Sequence, residues 1–333
     1  MVTLISALDW GLGHTTRTMP IIKKLLDIGD EVVVGGSKRQ ISIYRELFPN
    51  LEYVIMPSFS PTYGNKPGLI RNLLAQLPYF LFTIAREHFQ LSRLIKTHKI
   101  EQVISDNRYG LFHKTIKSVF VGHQLNLQMP HTPGIIRRVI NQLHKSIINQ
   151  FDECWIPDFS TQNSLSGELS IIPAGLTSKV ERIGILSRLS LVEEDKKMEA
   201  PTLLVLISGP EKQRTIFENY MLEALAKSEV SDYLLIRGLP GEEKSTLTKS
   251  MNHCMAPYLK ALLKHSKYII CRAGYTSIMD LVSLNRTACL VPTPGQTEQE
   301  YLADYLSKSG KFSSCTQDNL DVGLIIQELQ KLS

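Results

Sequence analysis

Two stretches place side chains with acid–base capacity where a strand-like run gives way to a loop. The first is Asp9-Trp10-Gly11-Leu12-Gly13-His14, which follows the apolar run Val2 to Leu8 and opens a helical pattern. Gly11 and Gly13 let the backbone turn tightly and approach a ligand. His14 titrates near neutral pH, so it can take or deliver a proton. The same histidine would also serve as a helix cap or a phosphate ligand. The second stretch is Ser105-Asp106-Asn107-Arg108, at the end of Val103-Ile104-Ser105. There Asp106 would orient His14, act as the base itself, or stand as an ordinary turn aspartate. His123 and Gln124 close the neighbouring run Ser118 to Val121 and would line a pocket or simply satisfy a loop.

The carboxyl-terminal part carries anion-binding signals. Tyr268-Ile269-Ile270-Cys271 is β-prone and turns through Arg272 to Thr276 into a helix expected from near Ser277. Ala288-Cys289-Leu290-Val291 stops at Pro292, and a polar loop, Thr293 to Glu298, opens a helix over Gln299 to Leu306. Both loops fall at carboxyl ends of strands and at helix amino termini. There unpaired N–H groups and the helix dipole favour an anion such as a diphosphate. Ordinary turn and capping chemistry would use the same residue types at Gly274, Tyr275, Thr276 and Ser277. No His, Cys, Asp or Glu cluster has metal-ligand spacing, so neither metal nor cofactor is expected.

The elements that must hold these loops read as βαβ units. A helix capped by Thr15 or Thr16 runs to about Ile28, with Pro20 in its first turn, and Glu31 to Gly36 is the next strand and turn. Leu69 to Ile95 is a helical region rich in large apolar residues and interrupted by Arg71, Pro78 and Arg86. Ile135 to Phe151 is a helix with Arg137, Arg138, His144 and Lys145 at its polar positions. These two helices read either as packed elements or as a membrane-facing patch of apolar and basic residues. The charge run Glu193-Glu194-Asp195-Lys196-Lys197 marks a linker. The expected division is a first domain over 1–185, a linker over 186–201 and a second domain over 202–333. A chain of 333 residues can bury two such cores. With 43% hydrophobic and 21% charged residues it reads as globular. The net charge of +5 suits anionic ligands or headgroups, and the absence of a basic stripe interleaved with aromatics argues against nucleic acid. Five cysteines without a CxxC fit buried thiols in a reducing cytoplasm. The amino terminus has no signal-peptide pattern.

The pattern Ala273-Gly274, Ser277, Asp280, Val291-Pro292, Gln299-Glu300-Tyr301 resembles the sugar-nucleotide end of glycosyltransferases of the GT-B architecture. It is most similar to the bacterial N-acetylglucosaminyltransferases that complete the lipid-linked peptidoglycan precursor (family 28-like) and to related uncharacterised transferases. The resemblance implies an α/β fold of two Rossmann-like domains facing a central cleft, the first on the acceptor side and the second binding the sugar nucleotide. It places the diphosphate against Gly274 to Ser277 and the loop Ser208-Gly209-Pro210, although Pro210 removes one N–H donor. Arg214 would add charge there or sit solvated on its helix. Asp280 would accept from ribose hydroxyls, and Gln299 with Glu300 would meet the sugar, a departure from the family's Gln-Gln pair. His14 would stand on the acceptor side with Gly11, Gly13, Asp106, His123 and Gln124. The implied reaction is inverting, metal-independent transfer of a hexose from a UDP-sugar to a small-molecule or lipid-linked acceptor. It would take place in the cytoplasm, at the inner face of the plasma membrane for a lipid-linked acceptor. A UDP-sugar 2-epimerase and a non-catalytic sugar-nucleotide binding protein share the same expectations up to catalysis.

Overall fold

The computed structural model describes residues 1–58, 69–130, 132–195, 199–240, 245 and 247–332. The chain divides into two compact units, Met1–Leu186 and Ser187–Ser333. In the first, the elements in order are β1 (Val2–Ala7), α1 (Leu12–Asp27), β2 (Glu31–Gly36), α2 (Lys38–Arg45), β3 (Glu52–Ile55), α3 (Leu69–Thr97), β4 (Gln102–Asp106), β5 (Lys117–Val121), α4 (Gly134–Ile148), β6 (Glu153–Ile156) and β7 (Lys179–Arg182). Among the described residues the strands form a parallel seven-stranded sheet in the order β3-β2-β1-β4-β5-β6-β7. Helices cover both faces of such a sheet, which explains why its strands read as nearly continuous apolar runs. Leu4, Ile5, Val32 to Val34, Val103, Ile104 and Val119 to Val121 are all buried. The order reverses between β1 and β4, and ligands bind outside the carboxyl ends of strands at such a point.

The second unit repeats the layout with β8 (Leu203–Leu206), α5 (Gln213–Ala226), β9 (Tyr233–Ile236), β10 (Ser250–Met251), α6 (Ala256–His265), β11 (Tyr268–Arg272), α7 (Tyr275–Ser283), β12 (Cys289–Val291), α8 (Thr297–Lys308), β13 (Ser313–Ser314) and α9 (Val322–Lys331). Its described strands run β10-β9-β8-β11-β12-β13, all parallel. The equivalent reversal lies between β8 and β11. The two Rossmann-like domains expected from the sequence are both present. Of the charge run, Glu193, Glu194 and Asp195 are described and Lys196 and Lys197 lie outside the described residues. Residues 187–195 pack on the second unit: Lys260 Nζ donates to the Val192 carbonyl at 2.7 Å, and Lys264 reaches Glu194 at 3.1 Å.

Several local expectations change. Helix α1 begins at Leu12, directly on Gly11, so Pro20 sits mid-helix and not in the first turn. Its missing N–H leaves the Thr16 carbonyl without the usual donor. Pro78 likewise lies inside α3, which continues through it. Of the residues expected on α3, the side chains of Arg71, Leu73, Leu74 and Leu77 lie outside the described set. On α4, Arg137 and Arg138 are exposed as expected, and His144 is not. His144 is buried, while Ile135, Ile136, Val139 and Leu143 face outward. His144 accepts this place because both ring nitrogens are satisfied: Nε2 donates to the Gln124 carbonyl at 2.8 Å and Nδ1 takes the Tyr109 hydroxyl at 3.1 Å. Burial pulls its pKa down, partly opposed by the Gln124 bond, which favours the neutral ring. No helix among the described residues is long and apolar enough to cross a membrane.

The core of the second unit gathers Leu203, Val205, Phe217, Met221, Ile270 and Val291 around β8, β11 and α5. Phe217 is fully buried and also lies under the Arg272 guanidinium, 3.9 Å from ring centroid to Cζ. Phe217→Ala should therefore cost about 3–5 kcal/mol, read as a lower urea midpoint. An unchanged midpoint would remove Phe217 from the set of residues that hold this unit.

Candidate active site

In the first unit, four side chains meet at the reversal of strand order. The Leu8 N–H donates to the Asp106 carbonyl at 2.9 Å, pinning the start of the β1–α1 loop to the end of β4. Gly11 then turns with φ +107°, a conformation that disfavours any side chain, and caps α1 through its backbone alone. Gly13 and His14 fall in the first turn. Residues three apart share a helix face, so His14 and Arg17 both reach the end of β4. His14 Nδ1 lies 2.7 Å from Asp106 Oδ1. Arg17 closes a two-point fork on the same carboxylate, Nε to Oδ2 at 2.6 Å and Nη2 to Oδ1 at 2.5 Å. Its remaining Nη1 is 3.3 Å from His123 Nδ1.

Asp106 is fully buried and Arg17 is 1% exposed, whereas the His14 side chain retains 19% of its accessible surface. Burial alone would push the Asp106 carboxyl up. Arg17 and His14 outweigh that and hold it down at about 2. The carboxylate is thus charged throughout the neutral range, with both oxygens engaged. Because an ionised carboxylate only accepts, the proton in the His14 bond sits on Nδ1. His123 is buried after β5, and Gln124 beside it holds His144 through its carbonyl. Sequence reasoning brought together His14, Asp106 and His123 by strand-end position and missed Arg17. Its only signal was an arginine three residues after His14.

In the second unit the loops after β8, β11 and β12 share the carboxyl edge of one parallel sheet. Gly209 turns with φ +112° directly after Ser208. Arg214, in the first turn of α5, is buried and ion-paired, to Glu211 at 2.5 Å and to Glu218 at 2.8 Å. Gly274 caps α7 without a side-chain bond, and the first turn that follows holds no acid. In that turn Tyr275 is buried, while Thr276 and Ser277 are partly exposed. Gln299 and Glu300 brace the loop before α8, accepting from the N–H groups of Thr293 and Gly295 at 2.8 Å each. Asp280 lies deeper, in the middle of α7, and accepts from Ser187 Oγ at 2.5 Å.

A residue without a predicted role, Arg272, links these loops. It is 1% exposed and donates to the carbonyls of Pro292 at 3.1 Å and Gln213 at 3.2 Å and to Gln317 Oε1 at 2.5 Å. Its Nε has no hydrogen-bond partner among the described residues, and none of the described ion pairs includes it. Burial pulls its pKa down to about 9, still charged at neutral pH. The sequence hid it because an arginine ending an apolar strand reads as the first residue of the loop.

Asp280 has the opposite imbalance. Burial raises its carboxyl to about 6, with Ser187 and Arg188 opposing only in part. The folded-state value lies above the ordinary value of about 4, so the stability it contributes is full below about pH 4 and is lost as pH rises through about 6. Asp280→Asn keeps an acceptor for Ser187. It should raise stability at pH 8 by up to about 3 kcal/mol and leave it nearly unchanged at pH 4. Thermal melts at the two pH values check this, and a variant equally or less stable at pH 8 contradicts it.

Residues 196–333 match the glycosyltransferase family 28 C-terminal domain. An uncharacterised glycosyltransferase of Methanosarcina acetivorans is 24% identical over 320 residues, covering 90% of this chain and 82% of the relative. The UDP-N-acetylglucosamine–N-acetylmuramyl-(pentapeptide) pyrophosphoryl-undecaprenol N-acetylglucosamine transferase of Natranaerobius thermophilus is 23% identical over 347 residues, covering 96% and 88%. Among solved structures, the glycosyltransferase SnogD from Streptomyces nogalater superposes with a TM-score of 0.64 at 15% identity, covering 99% of this chain and 91% of that one. Acinetobacter baumannii MurG superposes with a TM-score of 0.55 at 16% identity, covering 99% and 90%. The chain has the GT-B fold of these glycosyltransferases, and its residues 196–333 match the glycosyltransferase family 28 C-terminal domain.

Proposed function

We propose that the chain moves a hexose from a UDP-sugar to a hydroxyl of a lipid-linked acceptor, by a metal-independent single displacement with inversion. The observation that carries the reading is the His14–Asp106 pair at the end of β4, with His14 Nδ1 2.7 Å from Asp106 Oδ1. In this reading His14 takes the proton from the acceptor hydroxyl as that oxygen attacks the anomeric carbon. Asp106 orients the ring and stabilises the imidazolium that forms. It is not the base itself, because it is fully buried and both its oxygens are engaged. Gly11 and Gly13 give the acceptor room against the backbone, and His123 and Gln124 belong to the same side.

The second unit takes the donor. The loop Ser208-Gly209 and the first turn of α7, from Gly274 through Tyr275, Thr276 and Ser277, offer N–H groups to the diphosphate. Arg272 supports an anionic ligand there, since its buried charge lacks an acidic partner among the described ion pairs. Arg214 acts at one remove, because Glu211 and Glu218 already share its charge. Asp280 serves the ribose and Gln299 with Glu300 the sugar, each through the loop it braces. The leaving diphosphate is stabilised by fixed dipoles and charge.

The lipid-linked acceptor is supported by what the Natranaerobius relative's name says it acts on and by the surface of the first unit. Along α3, Phe82 and Phe89 are exposed with Arg86 and Arg93 at neighbouring turns. On α4, Ile135, Val139 and Leu143 are exposed beside Arg137 and Arg138. Apolar contact plus basic residues is the physical recipe for peripheral binding to an anionic bilayer, and in this reading the protein works at the cytoplasmic face of the plasma membrane.

The decisive assay follows UDP release from a panel of UDP-sugars, with and without a membrane lipid extract. Release that needs the extract is expected. His14→Ala and Asp106→Asn should each lower turnover about 10²–10⁴-fold while UDP binding, measured by calorimetry, is kept. Full activity of both variants would end the base assignment, and failure of the parent protein to bind any nucleotide would end the donor assignment. Separately, Phe89→Ser with Val139→Ser should reduce sedimentation with phosphatidylglycerol vesicles. Equal sedimentation by this variant would remove the membrane surface.

A further inference from the structure

Arg17 does more than the fold requires. Desolvating a guanidinium to 1% exposure costs several kcal/mol unless it is paired and hydrogen-bonded, and an apolar residue would fill the same volume at lower cost. What the guanidinium supplies is direction. Arginine only donates, and an ionised carboxylate only accepts. Asp106, already taking two bonds from Arg17, must also be the acceptor for His14, so the His14 proton lies on Nδ1. By the same logic Arg17 Nη1, 3.3 Å from His123 Nδ1, must be the donor there, so the His123 proton lies on Nε2.

We propose that Arg17 is a positioning residue that keeps His14 neutral at rest and fixes His14 and His123 in opposite tautomers, one imidazole with its lone pair on Nε2 and the other with its proton there. This rests on the reading of His14 as the base. Without Arg17, the sealed Asp106 would have only the imidazole to balance its charge. His14 would then hold a second proton through the neutral range and be unable to accept another. With Arg17 in place the carboxylate is balanced before His14 titrates. The other groups packed around the pair do not replace that balance. Tyr44, from α2, bonds Thr18 and is pushed up by burial. Arg108, two residues past Asp106, is paired with Glu87 at 3.0 Å.

The test is imidazole ¹H–¹⁵N NMR on the labelled protein across about pH 5–9, where histidine titrates. His14 and His123 are assigned among the nine histidines with His14→Ala and His123→Ala. In the parent, His14 should carry its proton on Nδ1 and His123 on Nε2. Arg17→Gln should raise the His14 midpoint by about one pH unit or more and release the His123 tautomer. Arg17→Lys, which keeps the charge but loses the fork, should hold the His14 midpoint near the parent value. A His14 midpoint unmoved in folded Arg17→Gln, or both parent histidines in one tautomer, would overturn the proposal. If Arg17→Gln does not fold, Asp106→Asn decides: the cation alone then faces His14, and the midpoint must fall below the parent value, with any other result overturning it. No substrate is needed, so the outcome is separate from the donor reading, whose failure would appear as absent UDP binding with the two tautomers intact.

Discussion

A carboxylate sealed at the end of β4 sets the geometry of the amino-terminal unit. An ionised group with no water must be matched by charge and hydrogen bonds, or it takes a proton instead. Asp106 is matched by Arg17 and His14, both from the first two turns of α1. That requirement pulls the start of α1 against the end of β4 and leaves only Leu8 to Gly11 to connect β1 to α1. A loop this short must turn at once, which Gly11 does with φ +107°. Gln40, from α2, secures the other side by donating to the Ala7 carbonyl at 3.1 Å and to Thr15 Oγ1 at 3.1 Å. The exposed part of His14 is thus held by groups that are themselves held, which is what a positioned proton acceptor needs.

The sequence makes the sheet strands legible because parallel strands covered on both faces are apolar throughout. It makes His14 and Asp106 legible because each follows such a run. Strand order is not written in any local pattern, and only the adjacency of β1 and β4 reveals that the two residues meet. Arg17 is invisible for the same reason, since an arginine within a helix usually faces solvent. The short strands β7, β10 and β13 escape because two to four residues of mixed polarity carry no period. Helix α2 and helix α9 escape because they are short, although the first carries a capping box, Ser37 with Gln40, and the second an Asp321 cap. On α4 the pattern misleads. His144 is drawn inward by two hydrogen-bond partners far away in sequence, while Ile135, Ile136, Val139 and Leu143 are left exposed.

The two units handle buried charge in opposite ways, and the difference fits the roles proposed for them. In the first, the cation and the carboxylate cancel within the site. On the proposed reading, an arriving acceptor hydroxyl would meet a neutral imidazole in a balanced field, as suits an uncharged nucleophile that must lose a proton. In the second, Arg272 is held by carbonyls, an amide and the Phe217 ring, none of which neutralises it. Holding an unmatched guanidinium costs stability, and its pKa falls as a result. Its three backbone partners, Gln213, Val291 and Pro292, join the start of α5 to the end of β12, so the charge sits among the loops that offer N–H groups. A diphosphate arriving there would supply the missing countercharge. As the bond to the sugar breaks, the diphosphate gains negative charge, so the attraction grows along the reaction coordinate. Only an interaction that strengthens toward the transition state accelerates the chemistry. An arginine already paired with an acid, as Arg214 is with Glu211 and Glu218, would contribute far less to that increase.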